Sequence, residues 1–133
     1  MPDFKLNDTF IRTFTIDDGV YEGFMQTFND RNPLHTNEQF AIKHGFKGRV
    51  MHGNILNGFL SYFIGECLPD KNVIIHSQQI QFKNAVYLYD KLFFEATITG
   101  VFESVNTIEF KFAFRNGESK IISKGQMQIG LLI

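Results

Sequence analysis

Three polar features interrupt an otherwise core-building sequence: Asp30-Arg31-Asn32-Pro33-Leu34-His35, then His52-Gly53, then Ser61. Asp30 and His35 lie five positions apart across a loop whose proline fixes one backbone angle, so their side chains can converge on one cavity. A carboxylate and an imidazole facing the same space can grip a water between them, or serve as base and acid near neutral pH. Gly53 falls at the expected N-terminus of a long helix, where backbone N–H groups lack intrahelical partners and the helix dipole is positive. Such donors suit an oxyanion, and a glycine lets a substrate carbonyl approach with no Cβ in the way. His52 reads chiefly as a residue that orients the turn into that helix. Ser61, set among small residues, serves close packing as readily as chemistry. His44 and His76 read as surface or strand residues and carry no assignment.

The elements that must position these groups follow from periodicity. Thr9 to Ile16 alternate aromatic and β-branched residues with polar ones, which predicts a first strand. Asp17 or Asp18 then caps a short helix with Val20, Phe24 and Phe28 on one face. Asn32-Pro33 marks the loop, and Thr36 with Gln39 three places on predicts a capping box for the next helical turns. From Gly53 to Leu68, two adjacent apolar rows (Ile55, Phe59, Phe63, Cys67 and Leu56, Leu60, Ile64, Leu68) predict a helix about 24 Å long, enclosed on several sides.

After Pro69 the period becomes two. Strands are expected over Val73–Phe82, Lys91–Phe102, Val105–Arg115 and Glu118–Ile129, with Asn116-Gly117 as a two-residue hairpin turn. Ile108, Phe110, Phe112 and Phe114 give one strand a nearly all-aromatic face. A long buried helix against a strongly bent antiparallel sheet is an α+β domain.

The chain of 133 residues, with no repeat or linker, is expected to form a single domain over 1–133. Its net charge of -1 argues against nucleic acid or an anionic membrane surface as a partner. Sixteen phenylalanines imply either a ring-filled core or apolar surface hidden in a partner. The one cysteine, Cys67, makes no internal disulfide, and the N-terminus lacks the basic start and apolar stretch of a signal peptide. A cytoplasmic location is expected. The four histidines show no zinc spacing, and no Walker loop, dinucleotide fingerprint or nucleophile elbow is present, so neither a metal nor a cofactor is expected. Gly45-Phe46-Lys47-Gly48 matches an RNA-binding glycine loop weakly, against the charge balance. Lys43, Lys47 and Arg49 read as a solvated basic face that could also meet phosphates.

The run Phe28 to His35, then Ala41, Gly45-Phe46, Gly48-Arg49-Val50 and His52-Gly53, resembles the MaoC-like (R)-specific enoyl-CoA hydratases. Their signature has the form Asp-x-Asn-Pro-Leu-His, followed by Ala, Gly-Phe and Val-x-His-Gly. The likeness is strong over residues 20 to 65 and extends to the rest in strand pattern only. It implies a hot-dog fold, in which a helix lies in a curved antiparallel sheet and two protomers join edge to edge with sites at their interface. It implies that Asp30 and His35 activate water or move protons, and that the Gly53 N–H receives the thioester carbonyl. Asn32, Ser61 and His52 would surround the substrate, with Asn32 shaping the loop. The substrate would be an acyl thioester carried by coenzyme A or an acyl carrier protein, the only form in which either group takes part. The chain departs from related proteins at Ala85 and Tyr89, where proline and glycine are usual, which bears on channel shape rather than reaction type. Two other readings remain: a hot-dog thioesterase, and a non-catalytic acyl-thioester-binding protein.

Overall fold

Residues 1–133 are described by the computed structural model. The alternating first segment forms β1 (Thr9–Thr15), and Asp17 caps α1 (Asp18–Phe28) by accepting from the Val20 N–H at 2.9 Å. Two short helices follow, α2 (Pro33–Thr36) and α3 (Glu38–Lys43), then α4 (Asn54–Tyr62), which continues as a π-helical turn over Phe63–Cys67. The remaining strands are β2 (Val73–Phe82), β3 (Lys91–Phe102), β4 (Thr107–Arg115) and β5 (Ile121–Leu131). All pair antiparallel in the order β1-β3-β4-β5-β2. This is the expected α+β arrangement of one sheet against one main helix.

The aromatic face of β4 accounts for the core. Ile108, Phe110, Phe112 and Phe114 are buried, and Phe63 of the π-helical turn packs against Phe94 and Phe110 with ring centroids 4.8 and 6.1 Å apart. Each such ring removed from water contributes about 1.5–3 kcal/mol. Leu56, Leu60 and Ile64 complete the helix side of the same cluster. Bulges between Ile75 and Ser77 and between Ile98 and Gly100 bend β2 and β3. At Gly125 a Cβ would lie 1.9 Å from the Gln79 carbonyl oxygen, so β5 approaches β2 there only because the residue is glycine.

Three local expectations are corrected. Asn37, not Thr36, caps α3 by accepting from the Phe40 N–H; Thr36 instead turns its hydroxyl back to the Arg31 and Asn32 carbonyls. Asn116-Gly117 is not a two-residue turn: Arg115 pairs with Ile121, and the left-handed residue of the five-residue connection is Ser119 (φ 62°). The Asn116 carboxamide causes the difference by accepting from both the Glu118 and Lys120 N–H groups. The second-half strand expected from Val105 begins at Thr107, after a 3₁₀ turn over Glu103–Val105. As expected, α4 is enclosed on several sides, with Asn54, Gly58, Ser61 and Tyr62 forming the side left exposed in the single chain.

Candidate active site

The loop between α1 and α2 is built from side chains that satisfy its own backbone. Asn29 ends α1 in the left-handed conformation (φ 58°). The Asp30 Oδ1 accepts from the Asn32 N–H at 3.2 Å, and the Asn32 Oδ1 accepts from the Leu34 N–H at 3.0 Å, capping α2, with Pro33 at its first position. Asn32 is therefore occupied in shaping the loop.

That loop brings His35 back toward Asp30. The His35 Nδ1–H donates to the Val50 carbonyl at 2.7 Å, which leaves Nε2 with the lone pair in the neutral ring. This Nε2 lies 3.9 Å from the Asp30 Oδ2. The gap is too long for a direct hydrogen bond. It lets one water oxygen sit within hydrogen-bond reach of both atoms, at an angle of about 90°. His35 is largely buried, with 16% of its side chain exposed, whereas 52% of the Asp30 side chain is exposed. One ring is thus held by the scaffold while the carboxylate faces open space.

His52 stands behind the pair. It is 2% exposed, and its ring lies 3.9 Å from that of His35 at an interplanar angle of 30°. Its Nε2–H donates to the Asp30 carbonyl at 2.8 Å, while Nδ1 has no partner. A buried acceptor left unpaired costs about 1–3 kcal/mol. In return the ring holds both members of the pair, Asp30 through its carbonyl and His35 through the stack. Donor atoms of Asp30, His35 and His52 fall within 4.8 Å of one another. The two rings, however, are stacked, and stacked rings do not place one ion in both ring planes.

Gly53 opens α4. Neither its N–H nor that of Asn54 donates a hydrogen bond within the chain, so two polarised donors stand free at the positive end of the helix. A Cβ at residue 53 would lie 2.8 Å from the Phe82 ring, which gives the glycine a steric reason as well. His35, Gly53 and Asn54 line a cleft of about 410 Å³ that also touches Phe46, Phe82 and Lys83. Asp30 and Asn54 line a second cleft, of about 890 Å³, between α1 and α4. The pair therefore sits where two clefts meet, with Asn54 on the wall of each.

The structure thus brings Asp30, His35, His52 and Gly53 into one region and gives Asn32 and His52 supporting places rather than places on a cleft wall. Ser61 is not brought there. It is exposed two turns along α4, about 12 Å from Gly53, and lines neither cleft. Two contributors escaped the sequence reading. Tyr21 donates its hydroxyl to the His35 carbonyl at 2.5 Å, beneath the Arg49 guanidinium 5.2 Å from its ring. Asn54 accepts from Asn57, which in turn accepts from Gln78 of β2. Each joins segments distant in sequence, so the only available signal was a polar residue directly after His-Gly.

In the connection between β2 and β3, Tyr89 adopts the left-handed conformation (φ 71°) that glycine favours. Its hydroxyl donates to the Asp18 carboxylate at 2.8 Å, and that bond holds the phenol pKa above its ordinary value.

Known proteins resemble this chain in sequence and in fold. The (R)-specific enoyl-CoA hydratase of Rhodospirillum rubrum is 34% identical over 82 residues, which are 62% of this chain and 57% of that protein. The enzyme of the same name from Aeromonas caviae is 32% identical over 80 residues, 60% of either chain. The chain thus spans less than two thirds of the length of these relatives. The solved structure of the (R)-hydratase from A. caviae superposes with a TM-score of 0.90 over 99% of this chain and all of that one, at 21% identity, and the fold is the hot dog. No helix is long and apolar enough to cross a membrane. Residues 11–118 match the model described as the MaoC like domain, and the chain belongs to that family.

Proposed function

We propose that the chain is a hydratase/dehydratase that adds water across the double bond of a 2-enoyl thioester, giving an (R)-3-hydroxyacyl thioester, and runs the reverse reaction equally. The observation that carries this reading is the 3.9 Å gap between the His35 Nε2 and the Asp30 Oδ2. Both atoms accept, so a water between them donates one hydrogen to each and turns its lone pairs outward, toward the β-carbon. As its oxygen bonds to that carbon, electrons move through the α-carbon to the carbonyl oxygen. The Gly53 and Asn54 N–H groups stabilise the enolate, an effect worth about 10²–10³-fold per donor. One water proton stays on the product hydroxyl, and the other reaches the α-carbon through the pair, a positioned transfer worth about 10²–10⁴-fold. The thioester is the electron sink, so the reading requires no cofactor beyond the carrier of the substrate. The names of the R. rubrum and A. caviae relatives support coenzyme A as that carrier.

The working form in this reading is a homodimer joined through β2. That strand pairs only with β5, and its ten residues hold no Lys, Arg, Asp or Glu. A free edge is normally protected by charge, whereas β2 presents Ile74 and Phe82 exposed. β1, the other edge, carries Arg12.

Crotonyl-CoA tests the activity. The expected result is loss of enoyl-thioester absorbance without release of free thiol, unaffected by a chelator and abolished by Asp30→Asn. Thiol release would replace the reading with a thioesterase, and binding without turnover with a non-catalytic binding protein.

A further inference from the structure

Gly23 and Gly58 interrupt two helices where the chain itself gives them no reason. Gly53 and Gly125 are explained by what crowds them, but a Cβ at residue 23 or 58 would meet no heavy atom within 4 Å. Neither has a positive φ; among the glycines only Gly45 does. Glycine within a helix is less stable than alanine, so the fold carries this penalty at positions with room to spare; Gly65, on the exposed side of the helical run, shares the open space but not the cleft. What the two share is place. Both line the 890 Å³ cleft between α1 and α4, with Phe24, Ile55, Phe59 and Asp30.

The two clefts that meet at Asp30 and His35 differ in character. The one holding Gly23 and Gly58 carries Val20, Phe24, Phe28, Ile55 and Phe59 and no charged residue but Asp30, whereas the one holding His35 and Gly53, though it too has apolar walls, runs out past Lys83 and Asn84. A thioester whose carbonyl meets the Gly53 and Asn54 N–H groups would send its hydrocarbon tail past Asp30 and its polar carrier arm the other way. We propose that the α1–α4 cleft holds the acyl chain, that the missing side chains of Gly23 and Gly58 set its capacity, and that the preferred acyl group is well longer than four carbons. This rests on the hydratase reading for the reaction, though not for the binding. A cleft of this volume lies at the upper end of small-ligand pockets, about 300–1,000 Å³. A four-carbon group leaves most of it unfilled. Each further buried methylene strengthens binding about fourfold.

Calorimetry with butyryl-CoA and octanoyl-CoA, which are saturated and unreactive, tests the cleft independently of turnover. The wild type is expected to bind octanoyl-CoA at least tenfold more tightly. Gly58→Leu and Gly23→Leu, on opposite walls, should erase most of that preference and cut the ratio of kcat/KM for octenoyl-CoA over crotonyl-CoA at least tenfold. Gly65→Leu, further along the same helical run and outside the cleft, should leave both ratios alone. Equal affinity for the two ligands in the wild type overturns the proposal. So does a Gly65→Leu effect as large as that of Gly58→Leu, or an unchanged ratio in folded Gly23→Leu. If sedimentation shows that Gly58→Leu disrupts the oligomer, Gly23→Leu alone decides. A wild type that binds octanoyl-CoA preferentially but hydrates neither enoyl-CoA would remove the hydratase reading and leave the acyl cleft standing.

Discussion

Two regions of this molecule are held together by different physics. In the sheet and the buried side of α4, Phe63, Phe94, Phe110 and Phe114 are sealed from solvent, and their rings contact one another at 4.8–6.1 Å. In the segment from Asn29 to Gly53, no large apolar cluster does this work. The backbone is fixed by single hydrogen bonds: Asp30 to Asn32, Asn32 to Leu34, His35 to Val50, Tyr21 to His35 and His52 to Asp30. The core is redundant, because many contacts share the burden. The reactive loop has little redundancy: each bond sets the place of one reacting group. Substitutions in the two regions should therefore separate stability from activity.

The largest effect is expected in the core. Phe110→Ala should lower unfolding free energy by about 3–5 kcal/mol, read as a shift in the denaturant midpoint with the slope unchanged. Next, Asp30→Asn should lower kcat by about 10²–10⁴-fold while the thermal midpoint stays within experimental error. A large stability change in that variant would erase the contrast between the regions. His52→Ala should cost about 10²-fold in kcat by releasing the Asp30 carbonyl and the stack on His35, and His52→Gln, whose amide N–H can reach the same carbonyl, should recover part of it. A purely space-filling role would make the two variants alike.

The smallest effect concerns Tyr89. Its bond to Asp18 raises the phenol pKa, so the contribution to stability is complete below the free-tyrosine value of about 10 and is lost as pH rises through the higher folded value. Wild type and Tyr89→Phe should therefore differ slightly in thermal midpoint at neutral pH and converge at strongly alkaline pH. A difference that persists there would assign the effect to something other than the Asp18 bond.

What could be read from residues alone follows the same division. Period-two alternation at 108–114 and the four-residue rows of 55–68 reflect burial, which patterns every position of an element, so the sheet and main helix were legible. Asp17, Asn32 and Pro33 act locally and were legible as well. Failures came where one side chain chose between neighbours, as when Asn116 captured two N–H groups and widened the hairpin, or where a contact spans the fold, as in Gln78 to Asn57 to Asn54. Ser61, which the family likeness places beside the pair, is exposed along α4 in the single chain, where no pattern of burial marks it.

Val50 joins the two regions. Its carbonyl orients His35, its N–H donates to the Leu34 carbonyl, and it bridges Tyr87, while the Met51 N–H donates to the Val86 carbonyl. The imidazole is thus tethered to the stretch between β2 and β3 that holds Ala85 and Tyr89. Drift in that stretch cannot reshape the channel wall without also tilting the ring. Substitutions there are for that reason expected to change selectivity and turnover together, through one shared ribbon of backbone.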